Sequence, residues 1–205
     1  KTPKDALFDV GKYNKELEKI VEERDIIVDY NYNLVEIDGD KKEATFEHIK
    51  TNDRKTIDYE MLHVTPPMGP LRVLKESTLS DSDGWVDVNP TTLQHKSYSN
   101  IFALGDASNV PTSKTGAAIR KQAPIVVNNL LQVMDNEMLT HHYDGYTSCP
   151  IVTGYNKLIL AEFDYNKKPK ETFPFNQAKE RRSMYIFKKD LLPKMYWYGM
   201  LKGLI

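Results

Sequence analysis

Three side chains in the second half of the sequence have types and surroundings suited to redox chemistry on a nucleotide cofactor. Asp106 follows Gly105 at the end of the apolar run 101–104, and Lys114 and Cys149 lie further along the chain. A glycine lets a ligand or another backbone approach closely, and an ionised aspartate accepts hydrogen bonds from hydroxyl groups. The glycine–aspartate pair therefore predicts a site for the ribose or polyol group of a cofactor, although a simple turn aspartate would have the same local sequence.

Lys114 stands directly before a predicted helix that begins near Thr115 and ends near Met134. The free N–H groups and the dipole of a helix N terminus favour negative charge. A lysine beside such a terminus would stabilise a reduced, anionic flavin ring, whereas the simpler interpretation is an exposed loop lysine. Pro124 lies inside the helical pattern and predicts either a kink or the first turn of the helix.

Cys149 is the only cysteine, so the sequence cannot form an internal disulfide. It lies in the segment Tyr-Thr-Ser-Cys-Pro, which predicts a polar, aromatic loop rather than an aliphatic core. A thiol in such a loop acts as a nucleophile if its thiolate is stabilised. Composition alone favours the alternative, an inert cysteine.

The composition and motifs give little support to nucleic-acid binding, membrane spanning, metal binding or hydrolysis. The formal net charge of −1 argues against nucleic-acid binding, and no apolar run is long enough to span a bilayer. The histidines have no metal-ligand spacing with Cys149, so we expect no metal site. Ser113 and Ser148 lack the nucleophile-elbow context of a hydrolase.

The surrounding pattern predicts an α/β fold. A helix with one apolar face is followed by short alternating runs, and Thr-Pro-Pro at 65–67 stops the last of them. This order is typical of the end of a dinucleotide-binding domain. We predict a helix at 13–23 and strands at 26–30, 32–37, 43–49, 57–64, 101–104 and 158–163.

The C-terminal segment 184–205 places Trp197 and its two neighbouring tyrosines among lysines. Aromatic rings beside lysines on a short helix favour the interface of a membrane with water. An ordinary docking helix over a core or a partner subunit is the alternative.

Several motifs resemble the sulfide:quinone oxidoreductase family of mitochondria. They are Phe-Ala-Leu-Gly-Asp-Ala-Ser-Asn-Val-Pro-Thr-Ser-Lys-Thr, Tyr-Asp-Gly-Tyr-Thr-Ser-Cys-Pro-Ile-Val-Thr-Gly-Tyr and Leu-Ala-Glu-Phe-Asp-Tyr. The resemblance covers essentially the whole sequence. It implies an FAD-dependent enzyme, peripheral on the mitochondrial inner membrane, that oxidises hydrogen sulfide, reduces ubiquinone and passes sulfane sulfur to a small acceptor such as glutathione or sulfite.

The resemblance also implies roles for individual residues. In the family, two cysteines cycle through a disulfide and a persulfide, and Cys149 matches the one beside the flavin. Asp106, with Gly105, matches the pair that holds the ribityl chain of the flavin, and Lys114 matches a flavin-contacting lysine. The aromatic tail matches the amphipathic membrane anchor of the family.

We therefore expect the C-terminal portion of a flavoprotein with two Rossmann domains, similar to the pyridine nucleotide-disulfide reductases. The expected regions are 1–66, the end of an NAD-like domain; 67–140, a return segment of the FAD-binding domain; and 141–205, the redox cysteine and membrane anchor. The Gly-rich phosphate loop and second cysteine of the family are not in this sequence, so the chain by itself is expected to be inactive. A type II NADH:quinone oxidoreductase and an inactive membrane-interacting fragment are the alternatives.

Overall fold

The computed structural model describes residues 1–204 and divides the chain into two units, Lys1–Met68 and Gly69 onward. The first unit contains helix α1 (Gly11–Glu23) and the strands β1 (Tyr32–Asp38), β2 (Glu43–His48) and β3 (Arg54–Asp58). The second contains the short helix α2 (Arg72–Lys75), the long helix α3 (Gly116–Met134) and the strands β4 (Thr147–Gly154) and β5 (Lys157–Phe163). It ends in helices α4 (Arg182–Ile186) and α5 (Leu192–Tyr198).

In the first unit, the three strands form one antiparallel sheet in the order β1–β2–β3. Ala44 and Phe46 of β2 are buried, and their spacing of two residues places both side chains on the same face of the sheet. Helix α1 buries Tyr13 and Ile20, which belong to the apolar face that the sequence predicted. The predicted helix and the strands at 32–37 and 43–49 are therefore confirmed to within two residues.

The strand predicted at 26–30 is wrong. This segment is irregular, and Ile27 is 88% exposed. Asp25 and Asn31 have φ angles of 51° and 60°, and such left-handed residues interrupt an extended chain on either side of the segment. The fourth predicted strand, 57–64, lies too far along the chain, because β3 ends at Asp58.

In the second unit, β4 and β5 form an antiparallel hairpin, with Cys149 opposite Ala161. The residues of β5 from Leu158 to Phe163 are all buried, as expected for a strand covered on both faces. Leu158 and Leu160 pack with Met184 of α4, and Phe173 and Phe187 pack against this cluster. The predicted strand at 158–163 is confirmed.

Helix α3 also matches its prediction. Thr115 caps its N terminus, where the side-chain oxygen accepts a hydrogen bond from the Ala118 N–H at 3.2 Å. The helix continues through Pro124 to Met134. Its buried face carries Gln122 and Asn129, both fully enclosed, beside a core of Val86, Val88, Leu93, Val110 and Tyr143.

The predicted buried strand at 101–104 is absent. Phe102 forms one isolated bridge with Gln94, and the four residues are only partly buried. A single bridge does not make a ladder, so the segment is extended but is not a strand. The prediction that Cys149 lies in a loop is also wrong, because Cys149 is part of β4.

The C-terminal helices form a continuous series. A π-helical turn, Phe187–Leu191, joins α4 to α5, and a 3₁₀ turn, Met200–Lys202, follows. Within residues 1–204, no helix is long and apolar enough to cross a membrane.

Candidate functional site

The Gly105–Asp106 turn begins a short 3₁₀ helix, Gly105–Ala107. Gly105 is buried with a φ of +61°, and a Cβ there would lie 2.8 Å from Cγ1 of Ile119 on α3. Its N–H donates to Oε1 of Gln122 at 2.7 Å. The turn is therefore held tightly against α3, while the Asp106 side chain stays exposed.

Lys114 is partly buried between this turn and Trp85. Its Nζ donates to the Ser108 carbonyl at 2.6 Å and lies 4.0 Å from the centre of the Trp85 ring. Burial lowers the pKa of Lys114, and the charges of Asp106 and Asp81 oppose that shift. The structure thus places the predicted Asp106 and Lys114 in one electrostatic neighbourhood.

Cys149 is partly buried on β4. Burial raises the pKa of its thiol; a hydrogen bond with Ser113 and the positive charges of Lys167 and Lys188 act in the opposite direction. Within the residues described, the thiol form is therefore favoured. Nucleophilic chemistry needs a further source of thiolate stabilisation or a disulfide as the reacting species.

A cavity of about 620 Å³ opens beside Cys149. The N terminus of α3 contributes Gly116 and Ala117, whose N–H groups belong to the first turn and have no acceptor within the helix. The opposite wall is mostly apolar and comes from the loop after β5, the π-helical turn and the tail. Its residues are Phe173, Phe187, Leu192, Met195, Tyr196 and Met200.

Only part of the predicted site lines the cavity. Cys149 lines it, whereas Gly105, Asp106 and Lys114 do not. These three residues lie on the other side of the α3 start, where Gly105 meets Ile119 of the helix. The two groups are connected through α3, because Ile119 also lines the cavity.

Sequence reasoning missed a buried polar network in the cavity wall. Glu162 is 3% exposed and accepts hydrogen bonds from the Tyr146 hydroxyl, from Thr172 N at 2.7 Å and from Gln177 Nε2 at 2.7 Å. Burial, followed by the hydrogen bond and charge of Glu162, raises the pKa of Tyr146 to about 12. The signal was a lone glutamate inside the apolar run Leu-Ile-Leu-Ala-Glu-Phe.

The residues present fit a flavin. The exposed carboxylate of Asp106 follows a glycine held in a left-handed turn, and Gly116 and Ala117 in the first turn of α3 line a cavity of about 620 Å³. Asp106 would hold hydroxyl groups, and the α3 terminus would hold an electron-rich ring edge. No cluster of three or more His, Cys, Asp or Glu in the part of the chain described is placed to bind a metal ion.

The fold mixes helices and strands, in agreement with the predicted α/β class. No protein-family model matches the sequence. The chain is 53% identical over 199 residues to sulfide:quinone oxidoreductase, mitochondrial, of Mus musculus, and 52% identical to that of Dictyostelium discoideum. It is 40% identical to that of Schizosaccharomyces pombe.

These alignments cover 94–97% of this chain but only 43–44% of the relatives. The chain is thus homologous, over nearly its whole length, to the C-terminal portion of mitochondrial sulfide:quinone oxidoreductases, and the resemblance predicted from its motifs is confirmed. A chain in the cryo-EM structure of Tetrahymena thermophila mitochondrial ATP synthase is also similar. Its TM-score is 0.80 at 28% identity, over 95% of this chain and 48% of that one.

Proposed function

We propose that the chain forms part of an FAD-dependent sulfide:quinone oxidoreductase on the mitochondrial inner membrane. The observation that carries this proposal is that Cys149 lines the same cavity as the N terminus of α3 and the aromatic wall of the tail. A reactive sulfur, a site for an electron-rich ring and an apolar chamber are the components that electron transfer from sulfide to a quinone requires. The mitochondrial relatives have this activity in their names.

The cofactor would be held by two parts of the second unit. Asp106, on the Gly105 turn, accepts hydrogen bonds from the polyol chain, and Lys114 adds positive charge near the ring. The first N–H groups of α3 would stabilise the negative charge that gathers on the ring on reduction. When bound, FAD supplies a two-electron acceptor that a quinone can reoxidise.

Cys149 would form one half of a redox pair with a cysteine outside this sequence. Hydrosulfide attacks the disulfide of that pair, which leaves a persulfide on one cysteine and a thiolate on Cys149. A small thiol or sulfite then takes the outer sulfur of the persulfide, which leaves a second thiolate. The two thiolates re-form the disulfide, and the electron pair that they release would pass to the bound cofactor. This scheme agrees with the raised pKa of Cys149, because the thiolate is released by disulfide cleavage and does not have to form by ionisation.

The quinone would occupy the apolar side of the cavity. Phe187, Met195 and Tyr196 line that side, while Trp197 and Leu201 are more than half exposed. The tail therefore has one side toward the cavity and an exposed apolar side suited to the membrane interface. A lipid-soluble quinone could then enter without crossing water.

The proposal is tested on the complete protein with FAD bound. We expect Cys149→Ser to slow reduction of the flavin by sulfide more than about 100-fold, because the thiolate donor is lost, without loss of bound FAD. Val152→Ser, a substitution at an exposed position on the same strand, is the control and retains the rate. Wild-type rates in Cys149→Ser would contradict the thiol mechanism, and flavin reduction by NADH but not sulfide would support the NADH:quinone alternative.

A further inference from the structure

The buried Glu162 network lies between the cavity and a separate polar pocket on the surface. This surface pocket has a volume of about 260 Å³ and is lined by charged residues that include Lys121, Asp144 and Lys170. Tyr146 and Thr172 line both the surface pocket and the cavity, whereas Glu162 lines only the cavity. Tyr146 is itself buried, lines both spaces, and donates its hydroxyl hydrogen to the Glu162 carboxylate.

Hydrogen bonds reach both oxygens of the Glu162 carboxylate in this wall. The Tyr146 hydroxyl donates to Oε1 of Glu162, and the Thr172 hydroxyl donates to the same oxygen at 3.0 Å. The backbone N–H of Thr172 and the amide of Gln177 donate to the other oxygen, each at 2.7 Å. The carboxylate is held in one orientation and lines the cavity, and the Tyr146 that donates to it also lines the surface pocket.

We propose that Tyr146 and Glu162 form a proton relay that supplies the quinone during its reduction. The inference rests on the proposed function, since it concerns the ligand of the same cavity. Conversion of a quinone to a hydroquinone takes two electrons and two protons. The reduced cofactor would supply both electrons together with one proton, as a hydride equivalent. Glu162 takes up the second proton from the Tyr146 hydroxyl and gives it to a quinone oxygen, and water in the surface pocket returns a proton to Tyr146.

The cavity surface near Glu162 is apolar and is formed by Leu160, Phe173 and Phe187, which cannot donate protons. The charged residues that line the surface pocket with Tyr146 are Arg120, Lys121, Asp144, Lys170 and Glu171. Arg120 and Lys188 also line the cavity, but an arginine does not release its proton in a protein, and Lys188 does not line the surface pocket. Glu162 is the carboxyl group of the cavity that is hydrogen-bonded to a tyrosine lining both spaces.

The test separates reduction of the cofactor from its reoxidation. The flavin of the complete protein is reduced anaerobically with dithionite, so that Cys149 is not needed, and is mixed rapidly with a short-chain ubiquinone. We expect Glu162→Gln and Tyr146→Phe each to slow reoxidation at least about tenfold, within the usual range for loss of a general acid. The double variant is no slower than the slower single variant, because both substitutions interrupt one path.

Two further measurements separate a relay from a structural role. Acetate, a small weak acid able to enter the cavity, accelerates reoxidation in Glu162→Gln and not in wild type. The affinity of Glu162→Gln for a redox-inert quinone analogue stays within about twofold of wild type. Thr172→Val is the control, because it removes one hydrogen bond to Glu162 and leaves the Tyr146 contact in place.

Each outcome decides the question. Wild-type reoxidation rates in Glu162→Gln overturn the relay alone. Equal slowing in Thr172→Val and Glu162→Gln, without rescue by acetate, also overturns it in favour of a structural role. A wild-type flavin that ubiquinone does not reoxidise overturns the proposed function, and the relay with it.

Discussion

The thiol of Cys149 lies in surroundings that suppress its ionisation. Burial is the main cause of its raised pKa, and the nearby Lys167 and Lys188 only reduce that effect. Because the thiolate is the nucleophile, we expect alkylation of the reduced complete protein by iodoacetamide to be slow at neutral pH. The rate should rise with pH through a midpoint above the ordinary thiol value of about 8.5.

Lys188→Gln provides the matched variant for this measurement. Removing its positive charge takes away one of the interactions that lower the pKa, so the alkylation midpoint should move further up. A midpoint at or below that of a free cysteine would show that the thiolate is stabilised by groups other than those described.

Gly105 is a position where both the backbone angle and a close neighbour act against a side chain. Its φ of +61° and the 2.8 Å approach of Ile119 Cγ1 both act against a Cβ. We expect Gly105→Ala to lower the free energy of unfolding by about 1–3 kcal/mol, measured by urea denaturation of the complete protein. Gly11→Ala at the start of α1, with no atom within 4 Å of the added carbon, should change it little or raise it slightly.

At the residue scale, the sequence indicated local roles better than it indicated contacts between residues far apart in the chain. The helix start near Thr115 was predicted from the apolar positions that follow it, and the structure adds a capping hydrogen bond that Thr115 accepts from the Ala118 N–H. Cys149 was assigned to a loop because serine, threonine and proline around it resemble turn chemistry. Glu162 escaped notice because its partners, Thr172 and Gln177, lie 10 and 15 residues further along the chain.

Among the elements, α3 connects the parts of the site through side chains that are fully buried. Asn129 Nδ2 donates to the carbonyl groups of Thr92 at 3.0 Å and His141 at 2.9 Å. The His141 N–H donates back to Asn129 Oδ1 at 3.2 Å. One side chain therefore joins the helix to two loops of the second unit.

This arrangement predicts a large difference between adjacent asparagines. Asn129→Ala leaves buried backbone groups without partners and should lower the free energy of unfolding by roughly 2–4 kcal/mol. Asn128→Ala removes only an exposed bond to the Pro124 carbonyl and should cost less than about 0.5 kcal/mol. Similar midpoints for the two variants in chemical denaturation would show that the Asn129 contacts contribute little.

The helices were more predictable than the strands, for a physical reason. The faces of α1 and α3 repeat within their own sequences, so local periodicity identifies them. A strand also requires a neighbour, and segments 26–30 and 101–104 have suitable composition without a continuous ladder. The proposed region boundaries at 66 and 140 stay predictions.

At the scale of the whole molecule, the C-terminal tail exposes several large apolar side chains close together in sequence. Trp197, Tyr198, Leu201 and Leu204 are 61%, 68%, 56% and 72% exposed, respectively. Lysines at 194 and 202 stand beside them. The final residue of the predicted anchor, Ile205, lies outside the described residues.

We expect the complete protein to sediment with liposomes of mixed zwitterionic and anionic lipids. Trp197→Glu combined with Tyr198→Glu should reduce the bound fraction several-fold, because two apolar groups at the interface become charged. Tyr155→Glu, at a 99% exposed position in the β4–β5 turn, is the control and should bind as wild type. If wild type, the double variant and Tyr155→Glu bound equally, the membrane contact would lie outside Trp197 and Tyr198.

The π-helical turn Phe187–Leu191 limits the insertion or deletion of single residues in this part of the chain. A π turn holds one residue more than an α turn in the same space, and each α-helical residue rotates the chain by about 100°. Deletion of Lys189 would restore an α turn and swing every following residue around the helix axis. Met195 and Tyr196 would leave the cavity wall as the exposed aromatic stripe turned with them. A substitution of the exposed Lys189 leaves the register of the tail unchanged, whereas a gain or loss of one residue in the turn changes it.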